Sequence, residues 1–268
     1  MKKKTVPLLE FKYLSVLKGK NKKVLDSISL KIFEGDNVVI LGPNGAGKSS
    51  LIKVITKEYY PIPGDRGSSF RIWGQERWNV FELRKLLGIV SNELQYTCTR
   101  DITGLEIVLS GFFSSIGLFK ERLTPGMIKK AKKVIEFLEI GQLQHRNMND
   151  MSSGEARRFL IGRALVHDPK ALILDEPTTS LDLHALYKFT DMLRKIARSG
   201  KSIILVTHNL TDIIPEIGRV VLMKDGKFIQ QGSKDEVLIN KNISKLFGCP
   251  VEIKIKDGYY YALRGMAQ

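Results

Sequence analysis

Two short stretches of this chain combine residue types and spacings that can do chemistry. The first is Gly42-Pro43-Asn44-Gly45-Ala46-Gly47-Lys48-Ser49, followed by Ser50. It fits the phosphate-loop pattern Gly-x4-Gly-Lys-Ser/Thr, and its flanks suit it: residues 37–41 read as a buried strand and residues 50–55 can open a helix. A loop between a strand and a helix N-terminus points consecutive backbone N–H groups inward. The helix dipole adds partial positive charge there, so a polyphosphate is held. Glycines let such a backbone curl without side-chain clashes. Lys48 can reach the β- and γ-phosphates, and Ser49 can hold Mg²⁺. The second stretch is Leu172-Ile173-Leu174-Asp175-Glu176-Pro177. Here a buried strand ends in two acids, which places carboxylates at the C-terminal edge of a sheet, where the phosphates would lie.

The surrounding pattern supplies the elements that must position these groups. Residues 8–33 alternate apolar and polar in places, with a turn at 18–23, and read as a hairpin of half-buried strands. Residues 70–74 read as a strand returning to that hairpin, and residues 86–91 as a short buried strand. From about 101 to 165 the pattern is helical. Met127, Ile128, Ala131, Val134, Ile135 and Leu138 recur at helical spacing with lysines opposite, which reads as a core-facing stripe. Strands are expected at 171–174 and 202–206, with a helix over 183–199 between them. Asp225-Gly226 and Asp257-Gly258 each sit between short apolar runs and predict two further hairpins. Apolar strands alternating with helices imply an α/β fold with a mostly parallel sheet covered on both faces. An antiparallel N-terminal β-subdomain and an inserted helical subdomain complete the expected architecture.

Length and composition bound the class. At 268 residues the chain can bury a full core as one large domain or two unequal lobes. No apolar run approaches the ~18–20 residues that span a bilayer. The N-terminus is basic, but its apolar stretch is broken by Glu10 and Lys12, so it is not expected to be a signal peptide. Cys98 and Cys249 lack metal-ligand spacing and read as free thiols of a reducing compartment. The net charge of +15 would suit anionic lipid, nucleic acid or an acidic protein. Its lysine-dense pieces, 18–23 and 129–133, lack interleaved aromatics. They read as solvated surface, and nucleic acid is not an expected partner.

Three more segments narrow the reading. They are Met151-Ser152-Ser153-Gly154-Glu155 ahead of a helix, Ser180-Leu181-Asp182, and His208 after the 202–207 strand. With the first two motifs, and in this order from about residue 8 to 235, the chain resembles the ATP-binding cassette (ABC) ATPase family. The resemblance implies a P-loop NTPase core at 8–92 and 166–235, a helical signature subdomain at 93–165 and a tail at 236–268. It implies that residues 42–50 bind the nucleotide phosphates. It also implies that Ser49 and Asp175 hold Mg²⁺, the latter through water, and that Glu176 polarises the attacking water. By the same resemblance His208 is expected to contact the γ-phosphate. Ser152, Ser153, Gly154 and Glu155 correspond to the signature Leu-Ser-Gly-Gly-Gln, which acts on the nucleotide of a second copy, and Asp182 corresponds to the D-loop. Ser153 replaces a glycine there, and Glu155 a glutamine. The family usually has a glutamine after the strand that ends near residue 91; Asn92 occupies that place and Gln95 lies three residues on, so either can serve. Leu17 or Lys18 stands where an aromatic residue often stacks on adenine, with Tyr13 nearby.

The expected function is therefore that of a Mg-dependent ATPase subunit. It would work as a head-to-tail dimer at the inner face of the cell membrane, driving transport through a separate integral permease. The tail around residues 247–251 is similar to cassettes of metal-chelate importers. The alternative is a soluble ABC ATPase acting on ribosomes or DNA, although such members usually carry two cassettes in tandem and this chain has one of each motif.

Overall fold

The computed structural model describes residues 6–19, 22–62, 67–91, 94, 97–98, 101–115 and 122–265. Its strands are β1 (Leu9–Lys18), β2 (Lys22–Ile32), β3 (Val38–Leu41), β4 (Ser69–Ile72), β5 (Leu87–Val90), β6 (Ala171–Asp175), β7 (Ser202–Thr207), β8 (Arg219–Lys224), β9 (Lys227–Ser233), β10 (Val251–Lys256) and β11 (Tyr259–Arg264). Its helices include α1 (Lys48–Ile55), α2 (Val80–Leu86), α3 (Gly104–Ser110), α4 (Pro125–Phe137), α5 (Ser153–Leu165), α6 (Leu183–Arg198), α7 (Lys234–Val237) and α8 (Asn240–Phe247). The chain divides into two compact units, one of Met1–Val80 with Ser202–Gln268 and one of Phe81–Lys201.

The first unit holds β1 between β2 and β4, antiparallel to both, with Phe11 opposite Leu30 on one side and Phe70 on the other. The Phe11 and Phe70 rings stack with centroids 4.7 Å apart. A second sheet puts β3 between β7 and β8, parallel to both, and β9 closes it antiparallel to β8. All of β3 and β7 is buried, as unbroken apolar runs in a covered parallel sheet require. In β9 exposed and half-buried residues alternate instead, the pattern of an edge strand. Both Asp-Gly dipeptides form the expected hairpin turns, with positive φ at Asp225, Gly226, Asp257 and Gly258.

The second unit contains β5 parallel to β6, with Gly88 opposite Leu172. Helix α5 packs against α3, α4 and α6, and its Phe159, Leu160 and Ile161 are fully enclosed. The α4 stripe faces inward through Ala131, Ile135 and Leu138, while its lysines are exposed. In α6, Phe189, Met192, Leu193 and Ile196 form the buried face. Among the described residues three helices escape the sequence pattern: α2, α7 and α8. Helix α2 runs into β5 without a spacer, so its last apolar residue merges with the strand's run. Helix α8 buries only Ile243 and Leu246 and stops at Gly248, whose left-handed backbone (φ 72°) ends the helix.

Candidate functional site

In the first unit the phosphate loop grows out of β3. The Gly42 N–H donates to the Thr207 carbonyl at the end of β7 (3.1 Å), so the start of the loop is tied to the strand that leads to His208. The Ala46 N–H closes a turn onto the Pro43 carbonyl (3.2 Å), and Gly45 and Gly47 take φ values of 81° and 107°. At Gly47, the N-cap of α1, a Cβ would lie 2.8 Å from both the Val24 carbonyl oxygen and the Met223 Cε, so glycine is required on two grounds. Asn44, Gly45 and Ser49 are exposed, while Ser50 is half-buried. Helix α1 has no acid in its first turn, so no carboxylate of its own first turn competes with an anion for its positive end. Lys48 is only 6% exposed, and its Nζ donates to the carbonyls of Gly42 (2.7 Å) and Pro43 (3.0 Å).

The loop has a support that the sequence did not reveal. In the turn between β8 and β9, the Gly226 N–H donates to the Ala46 carbonyl (2.8 Å), and the Gly226 carbonyl accepts from the Asp26 N–H (2.9 Å). Lys23 and Lys227 pair with the Asp26 carboxylate at 2.9 and 3.1 Å and hold its pKa below the usual carboxylate range. Asp225-Gly226 is visible as a turn in the sequence, but its contact with the loop depends on the β3–β8 pairing. His208 is half-buried directly after β7. Beside it the buried Thr207 hydroxyl donates to the buried Asp212 carboxylate, and the Asn209 N–H donates to Thr207 Oγ1 (3.0 Å). These bonds fix the backbone on both sides of the histidine.

The second unit gathers the acids and residues 152–155, which the sequence likens to the family signature. β6 ends at Asp175, and both Asp175 and Glu176 are half-buried. Glu176 has a left-handed backbone, φ 49°. The turn that follows ends at Asp182, the N-cap of α6, whose Oδ1 accepts from the Ala185 N–H (2.7 Å). Ser152 is the N-cap of α5. Its Oγ accepts from the Glu155 N–H (3.3 Å), and the Glu155 carboxylate accepts from the Ser152 N–H (2.8 Å), a reciprocal capping box. The Ser152 backbone bond is the main cause of a lowered Glu155 pKa, with Arg146 adding to it at 3.8 Å. Glu155 thus serves its own helix end. Ser153 Oγ donates to the Ser180 carbonyl (3.1 Å), and Gly154 lies flush against Ala185, where a Cβ would come within 2.8 Å of the Ala185 Cβ.

The first unit therefore brings together residues 42–50 and His208. The second brings together Asp175, Glu176, residues 152–155 and Asp182. Asn92 and Gln95 lie outside the described residues. Leu17 is 42% exposed on β1, and Tyr13 is 57% exposed with φ 45°. The Ser49 hydroxyl and the Asp175 carboxylate are oxygen donors of the kind Mg²⁺ takes. Among the described residues no group of three or more His, Cys, Asp or Glu side chains forms a separate metal cluster, and no helix is long and apolar enough to cross a membrane.

These features have counterparts in known proteins. The family model for ABC transporters matches residues 25–179. The ABC transporter ATP-binding protein YlmA of Bacillus subtilis (strain 168) is 34% identical over 241 residues, covering 88% of this chain and 90% of YlmA. CbiO1 from Clostridium perfringens, described as part of the ABC transporter complex cbiONQ, is 26% identical with a TM-score of 0.72, over 89% of this chain and 93% of CbiO1. A nucleotide-free ATP-binding cassette from an ABC transporter has a TM-score of 0.74 at 24% identity, over 91% of this chain and 96% of that cassette. With its phosphate loop, acidic strand end and signature helix in family order, the chain belongs to the ABC transporter family, as an ATP-binding subunit.

Proposed function

We propose that this subunit hydrolyses Mg-ATP in a head-to-tail pair of two copies and drives transport through a separate integral membrane permease, from the cytoplasmic face. The observation that carries this reading is the start of α1: an acid-free helix end capped by a left-handed Gly47, with a buried lysine already directed at the loop. On binding, Lys48 exchanges the Gly42 and Pro43 carbonyls for phosphate oxygens, while the loop N–H groups and the helix dipole offset the triphosphate charge. Ser49 and Asp175 would hold Mg²⁺, which when bound neutralises charge on the β- and γ-phosphates. Glu176 orients water for in-line attack, and His208 contacts the γ-phosphate. The Ser152–Gly154 tip of one copy completes the nucleotide site of the other, and Asp182 lies in the D-loop of that pairing. Residues 8–92 and 166–235 form the nucleotide-binding core, 93–165 the signature-bearing lobe, and Asn92 or Gln95 the link to the permease. The description of CbiO1 as part of a transporter complex supports the permease partner. Calorimetric titration of ATP tests the core of the proposal. Lys48→Ala is expected to weaken binding at least tenfold, and an unchanged dissociation constant would remove the phosphate loop from its assigned role.

A further inference from the structure

We infer that Arg157 and Ser153 form an intramolecular clamp that fixes the Glu176 turn to the signature helix, which makes Arg157 a positioning residue for hydrolysis. The inference rests on the proposed role of Glu176.

Ser153 and Arg157 are four residues apart on α5 and so share one face of the helix. Arg157 is 4% exposed. Its Nη1 donates to the Pro177 carbonyl and to the Thr179 carbonyl (3.1 Å), and Ser153 Oγ donates to the Ser180 carbonyl (3.1 Å). Three carbonyls of one irregular turn thus take donors from a single helix face. Between the two clamp residues, Gly154 lets α5 approach Ala185 closely enough for the bonds to form. The turn is bracketed by two left-handed, non-glycine residues, Glu176 (φ 49°) and Ser180 (φ 65°). L-residues adopt that conformation seldom, and it persists only where the surroundings over-determine it. A guanidinium is an unsuitable side chain for filling space, because burying its charge is unfavourable unless its N–H groups find acceptors. Here the acceptors begin one residue after Glu176. An apolar side chain at 157 would fill the same volume but leave those carbonyls unmatched and the orientation of Glu176 unset. The same helix carries Ser152 at its tip.

The test compares steady-state Mg-ATP turnover and ATP affinity in wild type, Arg157→Gln, Arg157→Lys and Ser153→Ala. Arg157→Gln is expected to lower kcat at least tenfold at saturating ATP, with KM and the ATP dissociation constant within twofold, because misplacing a water-orienting group acts on the chemical step. Arg157→Lys, which keeps a charged donor, is expected to recover part of that loss, and Ser153→Ala to show a smaller one. In the Glu176→Gln background, adding Arg157→Gln is expected to leave the ATP-induced dimer intact and to cause no further loss of turnover. Unchanged kcat in Arg157→Gln overturns the clamp, as does loss of the dimer in the double variant, which would mark Arg157 as a support of the signature helix only. If Arg157→Gln does not fold, Arg157→Lys and Ser153→Ala decide: full kcat in both overturns the inference. A wild type without Mg-ATP turnover overturns the hydrolytic reading and this inference together, whereas an active wild type with indifferent variants overturns the clamp alone.

Discussion

Glu155 occupies a position where the family usually has glutamine, and its carboxylate accepts from the N–H of Ser152 at the start of its own helix. The bond holds the folded-state pKa below the ordinary glutamate value. The sign follows from linkage: the charged cap stabilises fully above the ordinary value, and that stabilisation is lost as pH falls through the lowered one. The stability advantage of wild type over Glu155→Gln, measured as urea midpoints between pH 7 and pH 3, is therefore expected to shrink on acidification. A difference that widens toward low pH would contradict the capping role. Gly47 presents a steric case. With φ at 107° and only 2.8 Å from an added Cβ to the Val24 carbonyl, Gly47→Ala forces both backbone strain and a clash. The expected cost is about 1–3 kcal/mol of stability together with weakened ATP binding, read by urea unfolding and calorimetry. Wild-type stability in this variant would show that the loop can relax without its supporting turn.

At the scale of elements, the functional segments sit at strand ends and helix starts, where backbone groups are left without regular partners. Ser152 caps α5 and Asp182 caps α6, so the residues proposed for the signature and the D-loop are also what starts their helices. Asp182→Ala is expected to cost about 1 kcal/mol in thermal or urea unfolding while leaving the ATP dissociation constant of the isolated protein unchanged. A parallel loss of ATP affinity would show that Asp182 acts on the nucleotide within its own chain. The phosphate loop has a different kind of support. Its helix start is braced by the Gly226 turn, so the β8–β9 hairpin, remote in sequence, fixes the curvature of residues 42–47.

At the scale of the whole molecule, each chain offers a phosphate loop in one unit and a signature helix in the other. Two copies paired head to tail would join the loop of one to the helix tip of the other. Replacing the carboxylate proposed to orient water should stop turnover while leaving binding intact. Glu176→Gln is therefore expected to elute as a dimer in size-exclusion chromatography with Mg-ATP and as a monomer without nucleotide, with hydrolysis lowered by at least a factor of 100. Undiminished hydrolysis would remove Glu176 from its role, and a monomer at saturating ATP would reject the pairing.

Periodicity and spacing by themselves gave the buried strands expected at 37–41, 171–174 and 202–206, which form at 38–41, 171–175 and 202–207, together with the two Asp-Gly hairpins and the inward stripe of α4, and the resemblance gave the family order of the motifs. These are legible because strand burial, turn chemistry and phosphate binding each depend on residues adjacent in the chain or on one helix face. Short helices such as α8 carry too few apolar residues to register. Only the tertiary structure decided that Gly226 braces the phosphate loop, that Asp212 secures Thr207 next to His208, and that Glu155 turns back to cap α5. It likewise decided that Ser153, which looks like a defect in the signature, bonds with Arg157 to the turn after Glu176. The physical reason is that a hydrogen bond is settled by where donor and acceptor meet in space. For these pairs the meeting point depends on how separate strands and helices pack, which no local pattern of residues encodes.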